Sequence, residues 1–223
     1  SYADFKPEVA PTDEALIAYY SANTSRYEIP ERIEASYVTF PASKYVDQVV
    51  EAEESALREH FIANRARFVA EYEATQPKAD ADAEKPLVTF EDVREAVVTD
   101  FAAEAAMRIA NEAAQAFAYT LYRDNIEQDS AAFNKLLNES GVTLTDIEPY
   151  TAEGAARRAL SKDMLESAFA LTKNRYFSDA YPLDDGFGVL FLNGRIAPEI
   201  PAFETVAAVV TADYNAEEKR RLF

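Results

Sequence analysis

Cysteine and tryptophan are absent from this 223-residue chain, histidine occurs once, as His60, and glycine only five times. The first absence excludes disulfides, a thiol nucleophile and zinc sites built on thiolates. A single histidine excludes a histidine pair for a metal, and no cofactor is implied. The glycines stand at 141, 154, 186, 188 and 194, so neither a phosphate-cradling glycine-rich loop nor a serine elbow can be written. No run approaches the ~18 apolar residues of a membrane span. The opening SYADFKPEVAPTDEAL has no basic head or apolar signal core. It enters partway into a helical pattern, which leaves a membrane anchor upstream open. Basic residues number 22 against 40 acidic ones, a net charge of −18, and they are scattered. A stripe to neutralise phosphates is therefore missing, nucleic acid is not an expected partner, and the charge favours neutral or basic ones.

What is present is ordinary for a folded protein: 48% hydrophobic and 28% charged residues, enough for one large or two small domains. Thr12 or Asp13 can cap a first helix through Leu16, Tyr19, Tyr20 and Asn23, stopping before Pro30. Residues 33–40 alternate as a strand. A long helix is expected over 43–74 with a stripe at Val46, Val49, Val50, Leu57, Phe61 and Phe68, then a polar loop at 76–86. A second long helix should run from Phe90 to Asn125, alanine-rich at its centre. Beyond Asp129 the pattern gives a short helix at 130–139 stopped by Gly141, a strand near 142–150, a helix at 161–171 and two strands at 176–182 and 187–193. The LDDG between those strands is a hairpin signal. Phe203, Val206, Val209, Val210 and Tyr214 mark a final amphipathic helix. The lone His60 lies on a helix beside Phe61, where a surface or packing role is the plain reading, and the acidic runs at 51–55 and 80–84 read as solvated surface.

The chain also repeats itself at an offset of 41 residues. LIAYYSANTSRY at 16–27 aligns with LREHFIANRARF at 57–68, matching Leu16 with Leu57, Tyr20 with Phe61, Asn23 with Asn64, Arg26 with Arg67 and Tyr27 with Phe68. This suggests two copies of one helical unit.

The segment Leu16-x-x-Tyr19-Tyr20-x-x-Asn23-x-x-x-Tyr27, followed by Ile29-Pro30-Glu31 and a strand, resembles the junction between helices and isomerase module in the parvulin-type prolyl-isomerase and periplasmic chaperone family. AFNKLLNESGVTL and DMLESAFALTKNRYFSDAYPLDDGFGVLFLNGRI resemble the later helices, turn and closing strands of that module, with Ser178 near the family's serine before the hairpin. The resemblance covers about residues 12–42 and 110–223. It places Tyr37 and Gly188 where the family has its two histidines, and Leu160 and Met164 at the apolar wall. The family's glycine-rich turn is missing.

The resemblance implies an α+β protein with a mostly helical chaperone-type lobe (1–32, 43–129, 199–223) and a small, discontinuous parvulin-like lobe (33–42 with 130–198). The strand at 33–40 should then pair with the one near 187–193. It also implies a periplasmic or envelope location and, as partners, unfolded or partly folded envelope proteins. Tyr37, Met164, Phe169 and Phe187, with Tyr19 and Tyr20 on the helical side, are the expected peptide-contacting residues, and no residue is assigned to catalysis. Two other readings stay open: an active prolyl isomerase with a non-histidine site, in which Tyr37 supplies a hydrogen bond, and a structural subunit that docks a fixed partner.

Overall fold

The computed structural model describes residues 11–76, 87–155, 158 and 160–222. The fold is α+β and mostly helical. Helix α1 (Asp13–Ala22) begins at Thr12, whose side chain accepts from Ala15 N. Strand β1 (Arg32–Pro41) follows, then a 3-10 segment at 42–48, α2 (Glu54–Ala63), α3 (Arg65–Thr75) and the 34-residue α4 (Phe90–Arg123). The remainder is α5 (Ala131–Ser140), β2 (Thr145–Tyr150), a single turn α6 (Ala152–Ala155), α7 (Lys162–Ser167), β3 (Tyr181–Leu183), β4 (Gly186–Ile196) and α8 (Phe203–Leu222). Gly141 ends α5 in the left-handed region at φ +59°, where a side chain would be strained.

The single helix expected over 43–74 is three pieces. Val49 and Glu53 are extended, and Asn64 at φ −113°, ψ 16° separates α2 from α3 while its amide donates to His60 O at 3.1 Å. Adjacent β-branched Val49 and Val50 disfavour a helix, and asparagine competes for backbone carbonyls. Val46 and Val50 are consequently exposed, while Leu57, Phe61 and Phe68 are buried. The expected helix at 161–171 is α7 plus a 3-10 turn at 168–170. The strand expected at 176–182 is reduced to a bridge between Phe177 and Phe191 and the short β3. Pro182 cannot donate to a ladder, which suits β3 to the sheet edge it occupies. Beyond Gln76, the loop expected at 76–86 lies outside the described residues, as does the acidic run at 80–84.

The sheet is antiparallel in the order β2-β1-β4-β3. Its central pair joins residues far apart in sequence: Tyr37 opposes Leu190, Val38 opposes Val189 and Phe40 opposes Phe187. Period-two alternation divides the side chains between two cores. Val38, Phe40, Val189 and Phe191 face α4 and α5, where Ala106, Ala110, Ala114, Phe117, Leu121 and Phe133 meet them. The alanines, fully buried and four residues apart, let the helix lie close to the strands. Ile33, Ala35, Leu190 and Leu192 face the other way, onto Tyr150, Met164, Leu165 and Ala168.

Two helical units complete the molecule. The middle unit packs Leu57, Phe61 and Phe68 of α2 and α3 against Phe90, Val93 and Val97 in the first half of α4. The end unit packs Leu16, Tyr20 and Tyr27 against Phe203, Val206, Val210 and Tyr214 of α8. Val209, expected on that face, is 55% exposed. The helical stretch at 43–129 is therefore shared: its first part forms the middle unit, and the second half of α4 belongs to the core of the sheet.

Candidate functional site

On the face of the sheet turned away from α4, a cleft of about 550 Å³ is lined by Tyr37 and Thr39 of β1, Leu160 and Ser161, and the β3–β4 hairpin residues Pro182, Leu183, Asp184 and Asp185. Tyr37 and Thr39 share it because they are two apart on one strand. Ser161 is held at the rim as the cap of α7, accepting from Met164 N at 3.5 Å. Beneath the cleft lies Gly188, opposite Thr39. A Cβ there would meet Leu183 Cδ1 at 3.0 Å and Met164 Sδ at 3.1 Å. Met164 is completely buried, so the room a larger side chain at 188 would need is filled by a methionine and a leucine.

The six residues expected to contact peptide divide among three places. Tyr37 lines the cleft and is half-buried, whereas Met164 is fully buried in the core on that side of the sheet and is not among the residues that line the cleft. Phe169 sits on the same core but stacks edge-on against Tyr150, with ring centroids 5.9 Å apart. Its carbonyl accepts from Arg195 at 2.9 Å. Phe187 lies on the opposite face, packed with the α4 core, because it is one residue from Gly188 and strand side chains alternate. Tyr19 and Tyr20 belong to the end unit. Tyr20 donates to the Pro201 carbonyl, and Tyr19 donates to Glu217 at 2.7 Å. Partial burial, then that bond to a carboxylate, push the Tyr19 phenol up to about 12.

The polar rim of Thr39, Ser161, Asp184 and Asp185 was not singled out from the sequence. The position of Thr39, two after Tyr37, was the available signal, and the hairpin turn was read only for its conformation. Ser178 is structural: it is buried, accepts from Leu190 N at 2.9 Å and donates to Asp179 O at 2.7 Å, pinning the chain before the hairpin to β4. Tyr150, whose hydroxyl donates to Leu165 O at 2.9 Å, is likewise raised to about 12 by burial.

The cleft offers a phenol, two hydroxyls and two carboxylates beside apolar side chains, and among the described residues no imidazole or cationic side chain lines it. His60 is elsewhere, in the middle unit, with Nε2 at 2.7 Å from Asp100 Oδ2 and Nδ1 at 3.9 Å from Glu104. Their ligand atoms are close enough together for a metal ion. Arg67 already engages both oxygens of Asp100, so that carboxylate is compensated and a cation would have to displace the guanidinium from it. Those bonds from Arg67, more than the contact with His60, hold the Asp100 carboxyl below its ordinary range against the opposing effect of burial. This cluster fastens α2 and α3 to α4. Comparison of the chain with protein-family models, curated proteins and solved structures gave no match.

Proposed function

We propose that the chain holds extended apolar segments of unfolded or partly folded envelope proteins and does not turn over their prolyl bonds. The observation that carries this reading is the cleft with Tyr37 on its wall and Gly188 beneath it. Its apolar lining of Leu160, Pro182 and Leu183 is available to a bound segment, while Met164 and Leu183 crowd the room that a polar side chain at 188 would need. Isomerisation has a barrier of about 18–20 kcal/mol. A catalyst must lower it with oriented polar groups in a dry pocket, and loss of one such donor removes about 10²–10³ in rate. Asp184 and Asp185 at the rim suit basic residues flanking an apolar stretch, in keeping with the net charge of −18. Exposed Val50, Ile62, Leu87, Tyr119 and Tyr122 offer further apolar surface.

Two measurements test the reading. Aggregation of several unrelated unfolded proteins is expected to fall at a several-fold molar excess of the chain, without nucleotide. Unchanged aggregation would favour a fixed partner instead. Cis–trans exchange in short Xaa-Pro peptides is expected at the uncatalysed rate for both the native chain and Tyr37→Phe. Turnover within tenfold of an active parvulin that is lost in Tyr37→Phe would make the cleft an isomerase site.

A further inference from the structure

The offset of 41 that relates 16–27 to 57–68 has a counterpart that comes into view only when the partner helices are compared. FETVAAVVTADYNAE at 203–217 aligns with FEDVREAVVTDFAAE at 90–104 at an offset of 113. The alignment pairs Phe203 with Phe90, Val206 with Val93, Val210 with Val97, Asp213 with Asp100, Tyr214 with Phe101 and Glu217 with Glu104. Both halves of the end unit thus match both halves of the middle unit, and packing follows the match. Val210 and Val97 are each fully buried at the centre.

Three ring pairs coincide in geometry. Tyr19 meets Tyr214 at 5.5 Å and 86°, and His60 meets Phe101 at 5.5 Å and 88°. Tyr20 meets Tyr27 at 5.7 Å and 32°, and Phe61 meets Phe68 at 6.2 Å and 36°. Tyr20 meets Phe203 at 5.9 Å and 58°, and Phe61 meets Phe90 at 5.8 Å and 63°. The asparagines coincide as well: Asn23 donates to Tyr19 O at 2.8 Å, and Asn64 to His60 O at 3.1 Å. Unrelated amphipathic helices share a hydrophobic stripe, but they have no reason to share three ring geometries and a capping bond at fixed offsets.

The polar contacts draw on the same four positions, although the Tyr or His bonds a different one of the two carboxylates in each unit. In the end unit Arg26 donates to the Tyr19 hydroxyl at 2.7 Å, Tyr19 donates to Glu217, and Arg26 lies 4.0 Å from Asp213. In the middle unit Arg67 and His60 both hold Asp100, with Glu104 3.9 Å from His60. We infer that the two units are copies of one module, each fastened by a latch from the same four positions: an arginine, a Tyr or His one helical stretch before it, and an Asp and a Glu four residues apart on the partner helix. Tyr19 and His60 are then positioning residues with interchangeable roles. In the copy made from α1 and α8, the sheet with its helices and the middle unit itself occupy the stretch that in the other copy is only the connection from Phe68 to Phe90.

Reciprocal substitution in the full chain tests it, read by amide hydrogen exchange of residues 57–68 and 90–101 against residues 16–27 and 203–214. His60→Tyr and Tyr19→His are expected to keep protection in their own unit within about threefold. His60→Ala and Tyr19→Ala should lower it by about tenfold or more, each in its own unit only. Asp100→Asn and Asp213→Asn give a second pair that leaves the apolar packing untouched and should show the same separation. Interchangeability is overturned if His60→Tyr and Tyr19→His lose as much protection as the alanine variants. The modular latch is overturned if a change in one unit loosens both equally.

Discussion

Residues 69–89 join the two halves of the middle unit, whereas residues 28–202 separate the two halves of the end unit. Loop closure grows only slowly with length, and the roughly eightfold difference is worth about 2 kcal/mol for a flexible chain. The connection in the end unit is not flexible. The β1–β4 ladder brings Arg32 opposite Ile196, and a bridge between Ile29 and Glu199 carries the pairing on to the base of the helices. Similar packing is thus reached by two routes, locally in one unit and through a completed sheet in the other. The sheet thus holds the two halves of the end unit together, whereas a short connection joins those of the middle unit.

The largest effect should come from breaking the sheet. A Cβ at Gly186 would overlap the Phe40 carbonyl, so Gly186→Val is expected to destabilise the sheet by about 4 kcal/mol. Hydrogen exchange should then show the end unit opening with the sheet while residues 57–68 stay protected. Loss of protection in both units together would mean the middle unit also rests on the sheet. Next in size, Phe68→Ala empties a site that is 1% exposed and should lower stability by about 3 kcal/mol in chemical denaturation. The matching Tyr27→Ala should cost less, because its ring, 7% exposed, is less completely enclosed.

Acid separates the units more gently. The Asp100 carboxyl titrates below its ordinary value because of Arg67. A carboxyl lowered in the folded state contributes stability that is fully present above its unfolded value, about 4, and is lost as pH falls through the folded one. Exchange protection in the middle unit is expected to decline as pH is lowered below about 4, and Asp100→Asn should remove that step from the profile. A decline that persists in Asp100→Asn would assign it to another group. The smallest effect is expected for Tyr27→Phe. It deletes one hydroxyl that donates to Asp213 at 3.3 Å and makes the end unit match Phe68, for a loss of about 0.5 kcal/mol in thermal unfolding.

Much of the fold was written locally. Thr12 and Ser130 cap helices as their type suggests, Gly141 stops α5, and β1 pairs with β4 as expected. What was not legible depended on tertiary choices. The apolar periodicity of 43–74 persists across Asn64, so the stripe alone could not reveal a break made by one side-chain amide bonding a carbonyl four residues back. Val46 and Val50 fit the same stripe but fall where the chain is no longer α-helical. At the site, the resemblance groups Phe187 with Tyr37, although the strand period sets Phe187 and Gly188 on opposite faces. The resemblance sets Met164 at an apolar wall, but that its sulfur stands in the room a larger side chain at 188 would need is a matter of packing. The repeat was half visible: α1 and α2 align directly, while the matching partner helices lie at a different offset and are related only through what they touch.

Helix α4 carries a consequence of its own. Its 34 residues span about 51 Å, and one rotational phase must satisfy two masters, presenting Val93 and Val97 to the middle unit and Ala106, Ala110 and Ala114 to the sheet. Adding a single residue between these stretches would turn one relative to the other by about 100°, as a shaft slipped by one gear tooth, and would swing the alanines off the strands. Adding seven would bring the phase back to within about 20° while setting the two ends some 10 Å further apart. The spacing between the middle unit and the sheet is therefore adjustable only in steps that come close to whole turns, such as about seven or eleven residues.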